Sequence, residues 1–225
     1  MLPLCARRGD GYAERGGAAM WLIEYLSETE LDLTSGLGLV IALIALIFAL
    51  YQYRQGQRWT AIEFVSAEIK EFLENQDVRN TMIMLDYSLA PITVTNVSDG
   101  ELRSERVMIN DAMVITALIP RFQQDKMIGI NEHIRRSFEV FFDYLAQFEH
   151  YINASGLLRY EDFQPYLSYW LKLLSAEDNQ RKSPEYVRQL HIFLEAYEYQ
   201  SVLRLIRRNE EYNRRQQHRQ QRQGG

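Results

Sequence analysis

The chain has 225 residues, of which 47% are hydrophobic and 24% charged, a composition typical of folded proteins. Its single cysteine excludes an internal disulfide and a four-cysteine zinc site, and five prolines with twelve glycines exclude a collagen-like polymer. The net charge of −5 divides into −3 over residues 1–34, −7 over 54–200 and +5 over 201–225. The acidic body disfavours nucleic acid as a partner, whereas the arginine-rich tail leaves binding to anionic lipid or nucleic acid open.

An apolar run near the N-terminus predicts one transmembrane helix. From Leu33 to Tyr53 the chain holds 21 residues without a charge. At about 1.5 Å per residue, this length matches a hydrocarbon core of about 30 Å. A buried helix of a soluble protein is the alternative, and the length of the uncharged run disfavours it.

The charges on either side of this run predict its direction. Acidic residues precede it and arginines follow it: Glu24, Glu28, Glu30 and Asp32, then Arg54 and Arg58. Because cytoplasmic flanks carry the excess of positive charge, we expect an inner-membrane protein with its N-terminus outside and its C-terminus in the cytoplasm. Residues 1–32 are then extracytoplasmic. Residues 1–19 show no helical or strand period, and we expect them to be disordered or to precede the native start at Met20.

Small side chains form a stripe along the predicted span. Gly38, Ala42, Ala45 and Ala49 recur at spacings of four, three and four residues. Such stripes let two helix backbones approach closely, which favours self-association or docking on a partner helix. The ordinary alanine content of membrane helices is the alternative explanation.

Residues 54–206 are predicted to form a cytoplasmic helical bundle with one small β-hairpin. Apolar residues at helical spacing over 57–75 indicate an amphipathic helix, and a short helix capped by Asp77 is expected over 77–85. Two strands, Pro91–Val97 and Arg106–Ile109, are expected to flank a turn at Asp99 and Gly100.

Helical patterns dominate after the hairpin. A helix capped by Asn110 or Asp111 is expected to run through Leu118. A long helix capped by Asn131 and stopped at Gly156 should follow. It carries an apolar seam, which we expect to pack in a core or on a partner helix: Ile134, Phe138, Phe141, Leu145, Phe148 and Ile152.

The last part of the chain is predicted to be helical until its apolar face ends. A helix is expected over Asp162–Leu174, and Ser183 followed by Pro184 is a helix-start pattern. Apolar positions then continue to Ile206 without a stop signal. Residues 207–225 form a basic tail, expected to be mobile or a frayed helical extension, with Arg207, Arg208, Arg214, Arg215, Arg219 and Arg222.

Two stretches resemble a known family. Ser137–Leu174 and Glu74–Tyr87 are similar to a bacterial family of uncharacterised single-pass membrane proteins with a cytoplasmic helical domain of unknown function. The resemblance covers residues 55–200. It implies an inner-membrane setting and an anchor followed by a helical domain, and it implies no catalytic residue.

The usual signatures of nucleotide, hydrolase and metal sites do not occur in the sequence. There is no GxGxxG, Walker A loop, GxSxG, HExxH or CxxC motif, and no histidine has an acidic residue three positions before it. We therefore predict no cofactor and no metal.

One polar stripe remains as a candidate site. Glu139, Asp143, Gln147 and His150 follow one another at helical spacing, as acid/base chemistry or a metal would require. A solvated flank is the ordinary explanation, since Arg135 lies four residues before Glu139. The favoured function is a membrane-tethered protein-interaction or scaffold protein. The alternatives are an enzyme or metal-binding domain using Glu139, Asp143 and His150, and a tail that binds anionic lipid or nucleic acid.

Overall fold

The computed structural model describes residues 33–98, 101–123, 129–156, 158–176, 179 and 181–223. These residues form seven α-helices, one antiparallel hairpin and one short 3-10 helix. The helices are α1 (Leu33–Glu74), α2 (Gln76–Asp86), α3 (Asp111–Ala117), α4 (Ile130–Ala154), α5 (Tyr160–Leu174), α6 (Pro184–Ala196) and α7 (Gln200–Gln223). The strands are β1 (Leu89–Ser98) and β2 (Glu101–Asn110), and the 3-10 helix is Arg121–Gln123. The mainly helical class with one small hairpin is as predicted.

The chain divides into two units, Met1–Gly56 and Gln57–Gly225. In the first unit, the described residues belong to α1 and their apolar side chains face outward. Leu39, Leu43, Leu46 and Leu50 are between 54% and 72% exposed. Among the residues that the structure describes, one helix segment, Gly38–Glu74, is long and apolar enough to cross a membrane by length and composition.

The second unit is built around α4. This helix packs against α2, α3 and α7, while α7 also covers α5, and α3 contacts α6. Phe72, at the end of α1, lies against Phe141 and Phe148 with ring centroids 5.6 and 5.4 Å apart. The whole predicted seam of α4 lies in the core, where Ile152 is 8% exposed and the other five residues are 0% exposed.

The hairpin packs one face on the helical body. Its strands pair from Leu89 with Asn110 to Ser98 with Glu101, so each strand is longer than predicted. Ile92, Val94 and Ile109 are buried, as the two-residue period of a strand requires. The predicted turn at Asp99 and Gly100 lies outside the described residues.

The structure corrects two predicted helix starts. The cap of α2 is Asn75, whose side chain accepts hydrogen bonds from the backbone N–H groups of Asp77 and Val78, so Asp77 is inside the helix. Asn131 is inside α4, because that helix begins at Ile130 after Gly129, whose φ is 54°. Gly129 turns the chain at a positive φ that most side chains avoid, and the helix begins directly after this turn. The expectation of an asparagine cap at Asn131 was therefore wrong.

The predicted continuous helix after Ser183 is two helices. Ser183 caps α6 as expected, but the chain turns at Glu198, whose φ is 57°. The N–H of Tyr199 donates to Leu194 O at 2.8 Å, and the N–H of Glu198 donates to Glu195 O at 3.2 Å. This is a Schellman stop with glutamate at the position usually held by glycine, which explains why the sequence pattern missed it.

The boundary predicted between residues 206 and 207 falls inside α7. That helix extends to Gln223, and Asn209 on it is fully buried. The Tyr212 ring lies 5.6 Å from the ring of Tyr160 on α5. Residues 207–212 therefore belong to the helical body, and the exposed part of the helix begins at Arg214.

Candidate functional site

The predicted acidic and imidazole stripe lies on the surface of α4. Glu139 is half-buried, whereas Asp143, Gln147 and His150 are exposed. The carboxylate of Asp143 accepts a hydrogen bond from the Tyr199 hydroxyl at 3.2 Å. In the described part of the chain, no group of three or more His, Cys, Asp or Glu side chains is placed to hold a metal ion. The stripe therefore follows the helix without converging on one point.

Arg135 interacts with the charge of Glu139 but makes its hydrogen bonds to other groups. It is fully buried, and its Nε donates to Ala117 O at 3.0 Å while Nη1 donates to the Tyr197 hydroxyl at 2.9 Å. Nη2 donates to Ile119 O. These carbonyls lie at the end of α3, where the helix dipole is negative, so the guanidinium stabilises that terminus. Burial lowers the pKa of Arg135.

Glu149 forms a buried polar cluster that the sequence analysis missed. It is 0% exposed, and its Oε1 lies 3.2 Å from Arg208 Nη2 and 3.6 Å from Arg204 Nε. Asn153 donates to the same oxygen at 2.8 Å. These contacts tie α4 to α7. The sequence held one signal of this cluster. Glu149 lies between the seam residues Phe148 and Ile152, and the helical period therefore places it near the buried side.

Asn209 continues this cluster toward α5. Its Oδ1 accepts hydrogen bonds from the Tyr160 hydroxyl at 2.7 Å and from Ser168 Oγ at 3.1 Å. Burial is the main cause that raises the pKa of Tyr160. The cluster therefore joins α4, α5 and α7 by polar contacts, in a region predicted to be a mobile tail or a frayed helical extension.

A buried lysine holds the segment before α6. Lys182 Nζ donates to Asp111 Oδ1 at 2.6 Å and to Tyr87 O at 2.7 Å. It also lies 4.9 Å from the centre of the Tyr186 ring. Burial raises the pKa of Tyr186 well above its ordinary value. These contacts tie the end of α2 and the start of α3 to the segment before α6.

A polar cleft of about 320 Å³ lies between α2, β1 and α4. Ser137 Oγ donates to Asp77 Oδ1 at 2.9 Å, and Arg136 Nε lies 3.8 Å from Asp77 Oδ2. The Asn80 side chain both donates to Thr93 O and accepts from Thr93 N, at 2.7 and 3.1 Å. The polar groups of this cleft therefore bond to one another and secure the hairpin to the body.

A groove of about 490 Å³ opens on α6. Val187 and Ile192 give it apolar walls, and Arg188, His191 and Glu195 give it polar ones. His191 Nε2 lies 2.8 Å from Leu174 O, which fixes the orientation of the ring. The groove therefore combines apolar and charged walls along one side of α6.

The small-residue stripe lies on the exposed surface of α1. Gly38, Ala42, Ala45 and Ala49 are all exposed, and a Cβ atom added at Gly38 would meet no atom within 4 Å. The stripe is therefore open to a neighbouring helix or to lipid.

The basic tail has a one-sided charge pattern. At 100° per residue, the arginines of α7 fall within a sector of about 140°: Arg204, Arg207, Arg208, Arg214, Arg215, Arg219 and Arg222. We call this surface the arginine face. Beyond Arg215, the opposite side carries only glutamines. The pattern is visible because the structure shows residues 207–223 as a continuous part of the helix α7.

No family model, curated protein or solved structure matches this chain.

Proposed function

We propose that this chain is a single-pass inner-membrane scaffold whose cytoplasmic helical body binds another protein. In this proposal α1 is the anchor, with the N-terminus outside and the C-terminus in the cytoplasm. The anchor confines the body to a layer next to the membrane. Confinement raises the effective concentration of the body toward membrane-bound partners without adding any contact.

The exposed apolar surface of α1 is the observation that carries the proposal. Leucine and isoleucine side chains around the whole circumference are more than half exposed, including Leu39, Ile44 and Ile47. In water such a surface promotes aggregation, whereas in a bilayer it is solvated by lipid tails. A buried helix of a soluble protein would have covered these side chains.

The direction of insertion is supported by charge. Arg54 and Arg58 follow the apolar run directly, and the described residues between Gly38 and Tyr53 include no charged residue. Positive residues next to a span are retained on the cytoplasmic side. The body that follows them is therefore assigned to the cytoplasm.

A binding role is supported by the surface of the body. The α6 groove combines Val187 and Ile192 with charged neighbours. Among the residues that the structure describes, Glu139, Asp143 and His150 form no group placed to hold a metal ion. A protein partner at the groove, or a second copy of the chain docked along the small-residue stripe, is consistent with these surfaces.

Crosslinking in cells tests the tethering proposal. A photoreactive amino acid is placed at Ile192 in the full chain, and at Glu132 on the exposed start of α4 as a matched control. The release variant Ile44→Lys/Ile47→Lys introduces two charges, each costing about 3 kcal/mol at the centre of a span. Ile44→Leu/Ile47→Leu controls for the substitutions themselves.

We expect a discrete protein adduct from Ile192, lost in the lysine variant and kept in the leucine variant. An adduct of equal yield from the released chain would show that the anchor does not concentrate the partner. An adduct only from Glu132 would exclude the α6 groove as the binding surface.

A further inference from the structure

We infer that the arginine face of α7 binds anionic phospholipid headgroups at a membrane surface. This inference rests on the proposed anchoring function and adds a second, reversible membrane contact to it. The partner is a lipid surface, and the contact is made by charge without insertion.

The arginines divide into a held group and a free group. Arg204 and Arg208 are paired with Glu149, and Arg215 Nη2 lies 3.3 Å from Glu211 Oε2. Arg214, Arg219 and Arg222 are exposed and have no carboxylate partner among the residues that the structure describes. The body therefore holds the base of the helix through Arg204 and Arg208, while the distal end presents its charge to solvent.

The distal end has a high charge density of one sign. Residues 212–223 contain four arginines and no acidic residue, a net charge of +4. Twelve helical residues extend for about 18 Å. A guanidinium group binds a phosphate oxygen pair through two parallel N–H bonds, so an array of headgroups matches this face better than a single small anion does.

The residues opposite the arginines define the mode of binding. Helices that insert into the interface carry an apolar face, and here Gln216, Gln217 and Gln220 stand in its place. Glutamine gains nothing from entering the hydrocarbon region. The helix is therefore suited to lie on the headgroups, with its glutamines toward the cytoplasm.

Two features favour lipid over nucleic acid. Proteins that bind single strands stack bases on aromatic side chains, and α7 has no aromatic residue other than histidine after Tyr212. The proposed anchor also keeps a bilayer at a high effective concentration, an advantage that a nucleic acid in solution does not have.

Vesicle flotation with the full chain tests the inference. The chain is held in nanodiscs of phosphatidylcholine and mixed with separate vesicles, either of phosphatidylcholine alone or with phosphatidylglycerol added. The test variant is Arg214→Gln/Arg215→Gln/Arg219→Gln/Arg222→Gln. The matched control replaces the same four arginines with lysine, and far-ultraviolet circular dichroism checks that both variants keep their helix content.

We expect the wild type to float only with vesicles that contain phosphatidylglycerol, and to lose this binding in high salt. The glutamine variant should bind these vesicles more weakly by about fivefold for each arginine removed, and the lysine variant should retain most of the binding. Incorporation of the chain into nanodiscs tests the membrane anchor separately. If the arginine face does not bind the vesicles, the result for the anchor is unchanged.

Three outcomes would overturn the inference. Equal flotation with both kinds of vesicle would show that binding does not depend on the negative charge of the lipid. Displacement by inorganic phosphate, but not by chloride at equal ionic strength, would identify a site for a free anion. Binding of a single-stranded RNA or duplex DNA by the same nanodiscs, without binding to the vesicles, would identify a nucleic acid as the partner.

Discussion

Glu149 on α4 and Arg208 on α7 form an ion pair across 59 residues of sequence, with Arg208 Nη2 3.2 Å from Glu149 Oε1. The two partners differ in exposure, since the glutamate side chain is 0% and the arginine side chain 37% exposed. Removing one partner therefore has a different consequence from removing the other. The exposed arginine can regain water, whereas the buried carboxylate cannot.

This asymmetry predicts unequal costs for the two single variants. Arg208→Gln should lower the free energy of unfolding by about 3–5 kcal/mol, because a buried carboxylate loses its nearest cation. Glu149→Gln should cost about 1–3 kcal/mol. Chemical unfolding of the chain in detergent measures both, with Arg207→Gln, at an exposed neighbour, as a control expected within about 0.5 kcal/mol of wild type. A larger cost for Glu149→Gln than for Arg208→Gln would contradict the assignment of the buried partner.

The apolar seam and the polar stripe of α4 should respond differently to truncation. Phe148 is fully buried and lies 5.3 Å, centre to centre, from the Phe163 ring, so Phe148→Ala should cost about 3–5 kcal/mol. His150 is exposed on the same helix, and His150→Ala should leave the melting temperature nearly unchanged. A Phe148→Ala variant with unchanged stability but weaker partner binding would place the seam at an interface instead of the core.

Replacing Glu198 with glycine should increase the stability of the helical body. Its φ of 57° lies in the left-handed region, which costs a residue with a side chain about 1–2 kcal/mol. Glycine avoids most of this cost but loses more backbone entropy on folding. Glu198→Gly should therefore stabilise the body by about 0.5–1 kcal/mol, whereas Glu198→Ala should give no gain. Equal thermal stability for the two variants would argue against the Schellman stop between α6 and α7.

Stability should fall at alkaline pH because of buried phenols. Burial is the main cause that raises the pKa of Tyr160, Tyr186 and Tyr199 above the ordinary value of 10.0, and Asp143 adds to the effect at Tyr199. The folded state thus keeps a proton that the unfolded state releases. The contribution of these tyrosines to the free energy of unfolding is complete below about pH 10. It is lost as the pH rises further.

A tyrosinate absorbance titration alongside unfolding measurements checks this pH dependence. Tyr186→Phe should make the alkaline loss of stability less steep, since it removes one of the raised groups. Asp143→Asn should lower the pKa of Tyr199, because it removes a neighbouring negative charge and a hydrogen bond. If the wild type, Tyr186→Phe and Asp143→Asn lost stability equally steeply with rising pH, these assignments would be contradicted.

The sequence predicted the elements whose signals are local and periodic. The seam of α4 and the Ser183–Pro184 start of α6 follow from side-chain spacing and cap chemistry, and the structure shows both. The Schellman turn at Glu198 was missed because its signal is usually glycine. The roles of Arg135 and Glu149 were missed for another reason: their partners lie on helices far away in sequence, and only the packed structure brings them together.

The central claim is that the helical body is held at the cytoplasmic face of a membrane, and fusion of topology reporters after Gly225 tests it most directly. A green fluorescent protein at this position should fluoresce, and alkaline phosphatase, which is active only after export, should be inactive in the same membrane fraction. Arg54 and Arg58 should hold that flank inside. Active phosphatase with a dark fluorescent fusion would contradict the orientation, and recovery of either fusion in the soluble fraction would contradict the anchor.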